Sequence, residues 1–327
     1  MFEKGNIIGN TPMIRIDYEY KGIFKYIYTK LEYYNLTGSI KDRVAYYMIN
    51  NAKKRGTLKE KMPIIEATSG NTGIALAALG KYYHHPVYIF MPNWVSKERV
   101  NLMKSYGANV ILISKEQGGF IQCIERAKQL AKEKQGFLAN QFANQDNFQA
   151  HYETTAEEIL QQVPEKIGGF LSGIGTGGTL MGTGKKLKEK DNQLKIIAIE
   201  PDKMPMLSQG KILSQHKIEG IGDDFIPDLV DKNAIDEIIL VNDDDAINMA
   251  KKLASELGLG VGISSGANLI GAILANHTIS KPMVTVFADD NKKYLSTDLS
   301  KKIIKEEKFI SNQIKLKNYK VLTCYDN

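Results

Sequence analysis

Short apolar runs alternate with stretches of helical periodicity along most of the chain. The apolar runs are rich in Ile, Val and Phe, which is typical of buried strands, and the stretches between them repeat apolar positions at helical spacing. The predicted strands are 63–67, 87–91, 109–114, 170–171, 194–199, 238–241 and 283–287, and the predicted helices include 44–54, 73–83, 96–106, 119–135 and 267–275.

This alternation predicts an α/β architecture with mostly parallel twisted sheets flanked by helices. Two domains are expected, with the boundary in the polar segment 140–147. Residues 1–145 form the predicted N-terminal domain and residues 146–327 the predicted C-terminal domain. Parallel sheets bind ligands at the carboxyl ends of their strands, so candidate chemistry is sought in the loops that follow strands.

Composition changes this picture little. The chain has 327 residues, 43% apolar and 24% charged, and a formal charge of +6 from 43 basic and 37 acidic residues. These fractions are those of an ordinary globular protein. The Lys-rich segment 301–320 is interpreted as solvated helix faces rather than as a nucleic-acid-binding arm.

The two cysteines, Cys123 and Cys324, are far apart in the sequence. They predict neither a disulfide framework nor a metal site, and Cys123 is expected to pack in the core. The first ten residues lack the apolar stretch of a secretory leader, and no apolar run approaches the roughly 20 residues that span a bilayer. A cytoplasmic location is therefore expected.

The segment 68–73, Thr-Ser-Gly-Asn-Thr-Gly, directly follows a predicted strand and precedes a predicted helix. Hydroxyls, an amide and backbone N–H groups at a helix start form a natural receptor for an anion. The alternative is an ordinary helix cap, which Ser, Thr and Asn also favour. One cap needs one such residue, so four polar residues between glycines favour the anion site.

The segment 173–179, Gly-Ile-Gly-Thr-Gly-Gly-Thr, lies at another strand–helix junction and predicts a phosphate site. It also matches the dinucleotide fingerprint, and Glu200 ends the next strand at about the spacing expected for a ribose-binding acid. An NAD-dependent oxidoreductase is therefore a rival on this local pattern.

A third segment, 35–43, carries Lys41 just before a predicted helix. A lone Lys is usually a solvated surface residue. A partly desolvated amine would instead have a lowered pKa and act as a nucleophile.

These three segments, with six others, resemble the successive signatures of the cysteine synthase and cystathionine β-synthase family. The matching segments are 9–12, 32–43, 66–73, 91–108, 150–155, 173–179, 220–222, 225–227 and 263–266, in the family's order over residues about 5–297. The resemblance implies a fold-type II pyridoxal-phosphate enzyme with the tryptophan synthase β-like fold. It further implies that residues about 13–35 cross to the sheet of the C-terminal domain, and that the enzyme is a homodimer.

The same resemblance implies a role for each matching residue. Lys41 would hold the cofactor pyridoxal 5'-phosphate as a Schiff base, Asn71 would bind its ring oxygen, and Ser264 would face its pyridine nitrogen. The phosphate would be bound by Gly175, Thr176, Gly177, Gly178 and Thr179, and the substrate carboxylate by Thr68, Ser69, Asn71, Thr72 and Gln141.

Ser264 carries further information, because a neutral hydroxyl keeps the pyridine ring a weaker electron sink than a carboxylate would. This favours β-elimination and β-replacement over transamination. The alternative for Ser264 is a cap on the helix 267–275, and both roles are compatible. His151 is interpreted as structural and Trp94 as core packing, although Trp94 follows a strand and would then be near a cleft.

The largest departure from the family is Asp223, in the segment 220–227. At positions 223 and 224 cysteine synthases usually carry Ala-Gly and cystathionine β-synthases Tyr-Asp, so Asp224 favours the second branch and Asp223 fits neither. A carboxylate in the pocket would repel sulfide or a thiolate and would accept a proton from water. The alternatives for Asp223 are a solvated loop residue or a ligand for a second amino acid.

The resulting hypothesis is conversion of L-cysteine to hydrogen sulfide and L-serine through an aminoacrylate intermediate, with Lys41 and Asp223 as the catalytic residues. Cysteine synthase and cystathionine β-synthase activities are the alternatives within the family. An NAD-dependent oxidoreductase and a catalytically inactive binding protein are the alternatives outside it.

Overall fold

The computed structural model describes residues 7–302 and 306–322, which contain two β-sheets flanked by helices. Cys324 lies outside this range. The strands are β1 (Met13–Tyr20), β2 (Ile23–Leu31), β3 (Ile64–Ala67), β4 (Val87–Pro92), β5 (Asn109–Ile113), β6 (Phe137–Leu138), β7 (Gly169–Gly173), β8 (Lys195–Pro201), β9 (Glu237–Val241), β10 (Met283–Phe287) and β11 (Ile314–Leu322).

The helices fill most of the chain between the strands. They are α1 (Lys41–Lys54), α2 (Asn71–Tyr82), α3 (Lys97–Ser105), α4 (Gly119–Glu133), α5 (Gln145–Ala150), α6 (Ala156–Gln162), α7 (Gly178–Lys190), α8 (Met206–Gln209), α9 (Asp243–Leu257), α10 (Ile263–Thr278) and α11 (Ile310–Gln313). One π-helical turn, His151–Thr155, joins α5 to α6.

The smaller sheet has four parallel strands in the order β5-β4-β3-β6. Helices α1, α2 and α3 cover one face with side chains such as Met48, Ile74 and Met103. Helix α4 covers the other face, where Cys123 is fully buried as the sequence predicted.

The larger sheet has seven strands in the order β11-β1-β2-β10-β7-β8-β9. The neighbouring strands β2, β10, β7, β8 and β9 run parallel to one another. β1 pairs antiparallel with both β2 and β11. Helices α9 and α10 cover one face through residues such as Leu253 and Ile270, and α6 and α7 cover the other through residues such as Ile159 and Leu187.

The predicted α/β architecture with mostly parallel sheets is confirmed. The carboxyl ends of β3 and β7 run into α2 and α7, so the loops 68–70 and 174–177 are placed at the ligand-binding edges of the two sheets. Strands β1 and β2 belong to the seven-stranded sheet, while the boundary at residue 145 stays a prediction.

The interpretation of the Lys-rich segment 301–320 as solvated helix faces is wrong for its second half. Residues 314–322 form β11, an edge strand along β1. The alternation of Ile314 and Leu316, which are buried, with exposed lysines is a period of two and therefore fits a strand. Among the described residues, no helix is long and apolar enough to cross a bilayer.

Candidate active site

One cavity between the two sheets collects nearly all the residues singled out in the sequence. It is lined by Lys41, Thr68, Ser69, Asn71, Thr72, Gln141, Gly175, Thr176, Gly177, Thr179, Asp223 and Ser264. Gly178 is the first residue of α7 and stands in the sequence between the lining residues Gly177 and Thr179. Segments distant in the sequence thus meet at the site that their chemistry predicted, while their individual roles stay predictions.

Lys41 is the first residue of α1, three residues earlier than the predicted helix start. The turn before it is held to the seven-stranded sheet, because the Ile40 backbone N–H donates to the Ala288 carbonyl at 2.9 Å. Burial lowers the pKa of the Lys41 amine to about 8, and the carboxylates of Asp289 and Asp223 offset part of that effect. The amine is therefore closer to its neutral, nucleophilic form than a surface lysine.

The loop 68–70 leads into α2, which begins at Asn71 without a side-chain cap. The alternative interpretation of this segment as an ordinary capping sequence is therefore wrong. The uncapped helix start leaves backbone N–H groups and the positive end of the helix dipole for an anion. The Thr72 hydroxyl donates to the Gln141 side-chain oxygen at 2.5 Å, which places Gln141 beside this loop.

Glu66 holds this loop in place through its carboxyl group, a role that was not predicted from the sequence. Its carboxylate accepts the backbone N–H groups of Ala67 at 2.8 Å and Gln141 at 3.0 Å. Burial raises the pKa of Glu66 to about 8, against the lowering effect of these two hydrogen bonds. The side chain thereby joins the end of β3 to the segment that carries Gln141.

The loop before α7 forms the second helix start that faces the cavity. Gly177 has a φ of +86°, and α7 has no side-chain cap. A Cβ on Gly178 would lie 2.0 Å from the Asn147 Oδ1, so any side chain at this position would displace Asn147. The Asn147 Nδ2 donates to the Thr176 Oγ1 at 2.8 Å, which leaves the Thr176 hydroxyl hydrogen for a ligand oxygen.

His151 supports this loop and does not line the cavity, in agreement with its structural interpretation. Its two ring nitrogens contact Thr155 Oγ1 at 3.0 Å and Thr179 Oγ1 at 3.2 Å. Burial, with smaller effects from Lys41 and Arg43, holds the pKa of His151 well below its usual value. The imidazole is therefore neutral and fixes the Thr179 side chain.

The Asn71 side chain has a hydrogen-bonded nitrogen and an oxygen without a hydrogen-bond partner. Its Nδ2 donates to Asp289 Oδ2 at 2.8 Å, and the Tyr294 hydroxyl donates to the same oxygen at 2.7 Å. The Asn71 Oδ1 is buried and has no partner within the described parts of the chain. A cofactor ring that carries an oxygen substituent would supply this missing partner.

Ser264 lies in the first turn of α10 and is 5% exposed in the cavity wall. The N-cap of α10 is Gly262, so the interpretation of Ser264 as a helix cap is wrong. The helix starts four residues before the predicted start at 267, because Ile263 also packs in the core.

Asp223 lies in the segment between α8 and β9 and lines both the cavity and a wider cleft beside it. Burial and the neighbouring Asp224 carboxylate raise the pKa of Asp223 to about 7, and Lys41 offsets part of that effect. Near neutral pH this carboxyl group can therefore both accept and release a proton.

Glu200, the candidate for ribose binding in the dinucleotide interpretation, forms hydrogen bonds within the fold. Its carboxylate accepts the backbone N–H groups of Leu207 at 2.8 Å and Ser208 at 3.1 Å, at the start of α8. It is absent from the residues that line the cavity. The second element of the dinucleotide fingerprint is therefore a structural contact.

Trp94 is not a core residue, contrary to the preferred interpretation of its sequence position. Its side chain is 48% exposed and lines the mouth of the cleft. The Lys115 ammonium lies 5.3 Å from the Trp94 ring centroid and also donates to the Gln215 side-chain oxygen at 2.9 Å. These contacts connect the two sides of the cleft mouth.

Four residues of the site were given no role from the sequence. Arg99 and Glu219 line the cavity, Asp289 holds Asn71, and Asn147 holds Thr176. Arg99 and Glu219 lie within or next to segments that resemble the family, so their positions were marked but their contacts were not.

The arrangement fits pyridoxal phosphate and an amino acid. Two uncapped helix starts face one cavity, which suits two anionic groups, a phosphate and a carboxylate. A partly desolvated amine at Lys41 suits an aldehyde, and the unpartnered Oδ1 of Asn71 suits a ring substituent.

Comparison with known proteins agrees with this fit. The family model described as pyridoxal-phosphate dependent enzyme matches residues 5–289. A probable cysteine synthase of Bacillus subtilis is 40% identical over 300 residues, which cover 90% of this chain and 96% of the relative. The crystal structure of a hydrogen sulfide-producing enzyme from Fusobacterium nucleatum is 48% identical with a TM-score of 0.93 and covers 97% of each chain.

A mutant of a hydrogen sulfide-producing enzyme is also similar, at 49% identity, a TM-score of 0.93 and 95% of each chain covered. In that crystal structure an aspartate is replaced by asparagine, and the protein is complexed with the α-aminoacrylate intermediate.

Proposed function

Because the chain belongs to the family of pyridoxal-phosphate dependent enzymes, we propose that it converts L-cysteine and water into hydrogen sulfide and L-serine. Its similarity to cysteine synthases and hydrogen sulfide-producing enzymes assigns it to cysteine-related β-replacement and β-elimination. The finer proposal rests on one observation, the carboxyl group of Asp223 in the wall of the cavity that contains Lys41.

The atoms of the proposed reaction balance without an oxidant or reductant. The bond between the substrate's Cβ and its sulfur breaks, and a bond between Cβ and the water oxygen forms. The proton of Cα leaves and returns, and the proton released by water leaves with the sulfur as hydrogen sulfide.

Pyridoxal phosphate, when bound, supplies the electron sink that stabilises negative charge at the substrate's Cα. Gly175, Thr176 and the start of α7 would hold its phosphate, Asn71 its ring oxygen, and Ser264 its pyridine side. The substrate carboxylate would bind the start of α2 together with Gln141.

Lys41 is the group that moves the Cα proton in this proposal. Lys41 lines the same cavity as the loops that lead into α2 and α7, and its lowered pKa of about 8 makes the neutral amine accessible near neutral pH. A neutral amine accepts a proton from Cα and, once protonated, returns it to the same face.

Asp223 is the group that accepts a proton from water in this proposal. Its raised pKa of about 7 divides the carboxyl group between its acid and base forms near neutral pH. The ionised form also opposes the approach of hydrosulfide or a second thiolate, because like charges in a partly desolvated cleft repel. Both effects favour water as the nucleophile.

A second candidate is the synthesis of L-cysteine from O-acetylserine and sulfide. The observation in its favour is the relationship to cysteine synthases, such as the Staphylococcus aureus enzyme, 41% identical over 90% of this chain and 95% of its own length. Asp223 separates the two reactions, since a carboxylate favours water and disfavours an anionic sulfur nucleophile.

The deciding experiment incubates the purified holoenzyme with L-cysteine in ¹⁸O-labelled water and quantifies sulfide, serine, pyruvate and ammonia. We expect sulfide and serine in equal amounts, with the heavy oxygen in the serine hydroxyl. A parallel reaction with O-acetylserine and sulfide should form cysteine more slowly than the first reaction forms serine.

Asp223→Asn should reduce serine formation by about a hundredfold or more, the usual contribution of a general base. Its exposed neighbour provides the matched control, and Asp224→Asn should retain serine formation within about twofold at a pH above the Asp223 pKa of about 7, where Asp223 is ionised in both proteins. Pyruvate and ammonia in place of serine, or faster cysteine synthesis than serine formation, would contradict the proposed function.

A further inference from the structure

Arg99, on α3, is a buried arginine at the meeting point of the two sheets. Its side chain is 1% exposed although α3 flanks the four-stranded sheet. It forms an ion pair with Glu219. Its Nη2 lies 3.9 Å from Asp289 Oδ2, and its guanidinium carbon lies 4.7 Å from the Tyr294 ring centroid. All three partners belong to the part of the chain built around the seven-stranded sheet.

The same side chain supports the loop proposed to bind the substrate carboxylate. A Cβ placed on Gly70 would lie 2.7 Å from the Arg99 Nε and 2.8 Å from its Cδ. The stem and guanidinium of Arg99 therefore pack directly against the backbone of this loop. Glycine at position 70 permits this close approach.

The Glu219 partner begins the short segment that carries Asp223. Gly220 and Gly222, with φ of +91° and +73°, separate Glu219 from Asp223 and give the segment its turned path. The Gly222 backbone N–H donates to the Ile174 carbonyl at 2.9 Å, next to the phosphate loop. The segment 219–223 is thus tied at Glu219 to Arg99 and at Gly222 to the end of β7.

The Asp223 carboxylate is held by fewer hydrogen bonds than the backbone of the segment that carries it. Within the described parts of the chain it has no hydrogen-bond partner, whereas Glu66 in the same region accepts two. Its position in the cavity therefore follows from the path of segment 219–223. Whatever anchors that segment also places the carboxylate.

We propose that Arg99 is a positioning residue that joins the carboxylate-binding loop to segment 219–223 and so places Asp223 for attack by water. This inference rests on the proposed function. A substrate carboxylate that binds loop 68–72 holds Gly70 against Arg99, and the ion pair with Glu219 transmits this position to Asp223. Binding of the amino acid then also aligns the carboxylate of Asp223.

The positioning role predicts a change in product identity, not only in rate. Serine and the pair pyruvate and ammonia arise from the same cysteine and the same single water, and each route releases one sulfide. A misplaced Asp223 slows water addition at Cβ. The dehydrated amino acid that remains after sulfide leaves is then hydrolysed to pyruvate and ammonia instead of being converted to serine. Sulfide release itself does not require the alignment.

The test measures the serine-to-pyruvate ratio and total sulfide for the unaltered holoenzyme, four variants of the ion pair and one control variant. Arg99→Gln and Glu219→Gln each break the ion pair, the double variant tests whether they act together, and Arg99→Lys retains the charge without the planar fork. Lys128→Gln, on the exposed face of α4, is the control.

We expect the serine-to-pyruvate ratio to fall by about tenfold to a hundredfold in Arg99→Gln and in Glu219→Gln, as for a small displacement of a catalytic group. The double variant should show a fall no larger than that of either single variant, because both remove the same contact. Arg99→Lys should recover part of the ratio, and Lys128→Gln should match the unaltered enzyme.

A serine-to-pyruvate ratio that stays unchanged in both single variants overturns the inference, even when total sulfide falls. Independent effects that multiply in the double variant overturn it as well. Glu219 lies in a loop and its side chain is 25% exposed, so Glu219→Gln decides the question if Arg99→Gln fails to fold. Absence of serine from the unaltered enzyme would contradict the proposed function itself, a distinct outcome.

Discussion

At the scale of single residues, burial in the cavity brings the pKa values of a carboxyl group and an amine close together. Burial raises the pKa of Asp223 to about 7 and lowers the pKa of Lys41 to about 8. Their mutual attraction opposes both shifts and is the smaller effect. Desolvation therefore gives each residue a form that exchanges protons near neutral pH.

The pH dependence of serine formation should report Asp223. A general base works in its ionised form, and the ionised fraction grows as the pH rises through the raised pKa of about 7. We therefore expect kcat/KM for serine formation to rise across this range and to lose that rise in Asp223→Asn. Rates of serine and sulfide release, measured between about pH 5.5 and 8.5, check this.

Asp224→Asn refines the same measurement. The Asp224 carboxylate raises the pKa of Asp223, so its removal should move the midpoint of the rise to lower pH. A profile that is identical in the unaltered enzyme and in Asp223→Asn would assign the titration to another group.

The sequence predicted the residues of this site better than it predicted their supports. Lys41 and the two polar loops carry their chemistry in their residue types and in their place after strands. Asp289 and Asn71 are 218 residues apart, and Asn147 and Thr176 are 29 apart. No local spacing reveals such contacts, because they arise only when separate elements of the chain pack together.

At the scale of elements, the starts of α2 and α7 share one design. Each begins without a side-chain cap at a glycine-containing loop, and each faces the cavity. Capping residues there would satisfy the backbone N–H groups that an anion needs. The side chains of neither loop cap its helix, and we expect both loops to bind the anionic groups of the ligands instead.

Gly178→Ala tests the loop before α7. The added Cβ would collide with Asn147, which holds both Thr176 and the backbone carbonyl of Gln141. We expect the affinity for pyridoxal phosphate to fall by at least about tenfold, since phosphate contacts are displaced. Titration of the apoprotein with cofactor, followed by visible absorbance, measures this.

The matched control lies on the same helix. Lys185→Ala removes a largely exposed side chain of α7 and should leave the affinity for the cofactor unchanged. Equal cofactor affinities of Gly178→Ala and the unaltered protein would contradict the role given to this glycine.

Element boundaries departed from the predictions for physical reasons. α1 begins at Lys41 because Ser39 and Ile40 already pair with the segment after β10. β1 and β2 were placed only through the family resemblance, since both strands contain many Tyr and charged residues that obscure their alternation. β11 was missed because its lysines outnumber its buried apolar residues.

At the scale of the whole molecule, the cleft mouth links the two halves of the chain through exposed contacts. Trp94 and Lys115 lie on one side and Gln215 on the other. Exposed polar contacts of this kind are weak, so little free energy would be needed to separate the two sides of the mouth.

Trp94, the single tryptophan, should report closure of this mouth. We expect its fluorescence to shift to shorter wavelength when an amino acid without a leaving group, such as L-alanine, binds the holoenzyme. The reason is that a narrower mouth removes water from the indole. Emission spectra recorded during titration with L-alanine measure the shift, and Trp94→Phe identifies the source of the signal.

Gln215→Ala should reduce the size of this shift without abolishing binding, because it removes the partner of Lys115 across the mouth. An unchanged emission spectrum at L-alanine concentrations that alter the cofactor absorbance would show that the mouth does not close.

The homodimer and the cytoplasmic location, both expected from the sequence, stay predictions.

Strand β11 gives the molecule a charged border. An edge strand offers unpaired backbone groups to any other extended chain, and exposed lysines oppose such pairing. β11 carries Lys315, Lys317 and Lys320 on its outer positions, and the first two also form ion pairs with Glu19 on β1. We therefore expect the segment whose charge first indicated a solvated helix to limit edge-to-edge association, and neutral substitutions along it should lower solubility before they lower activity.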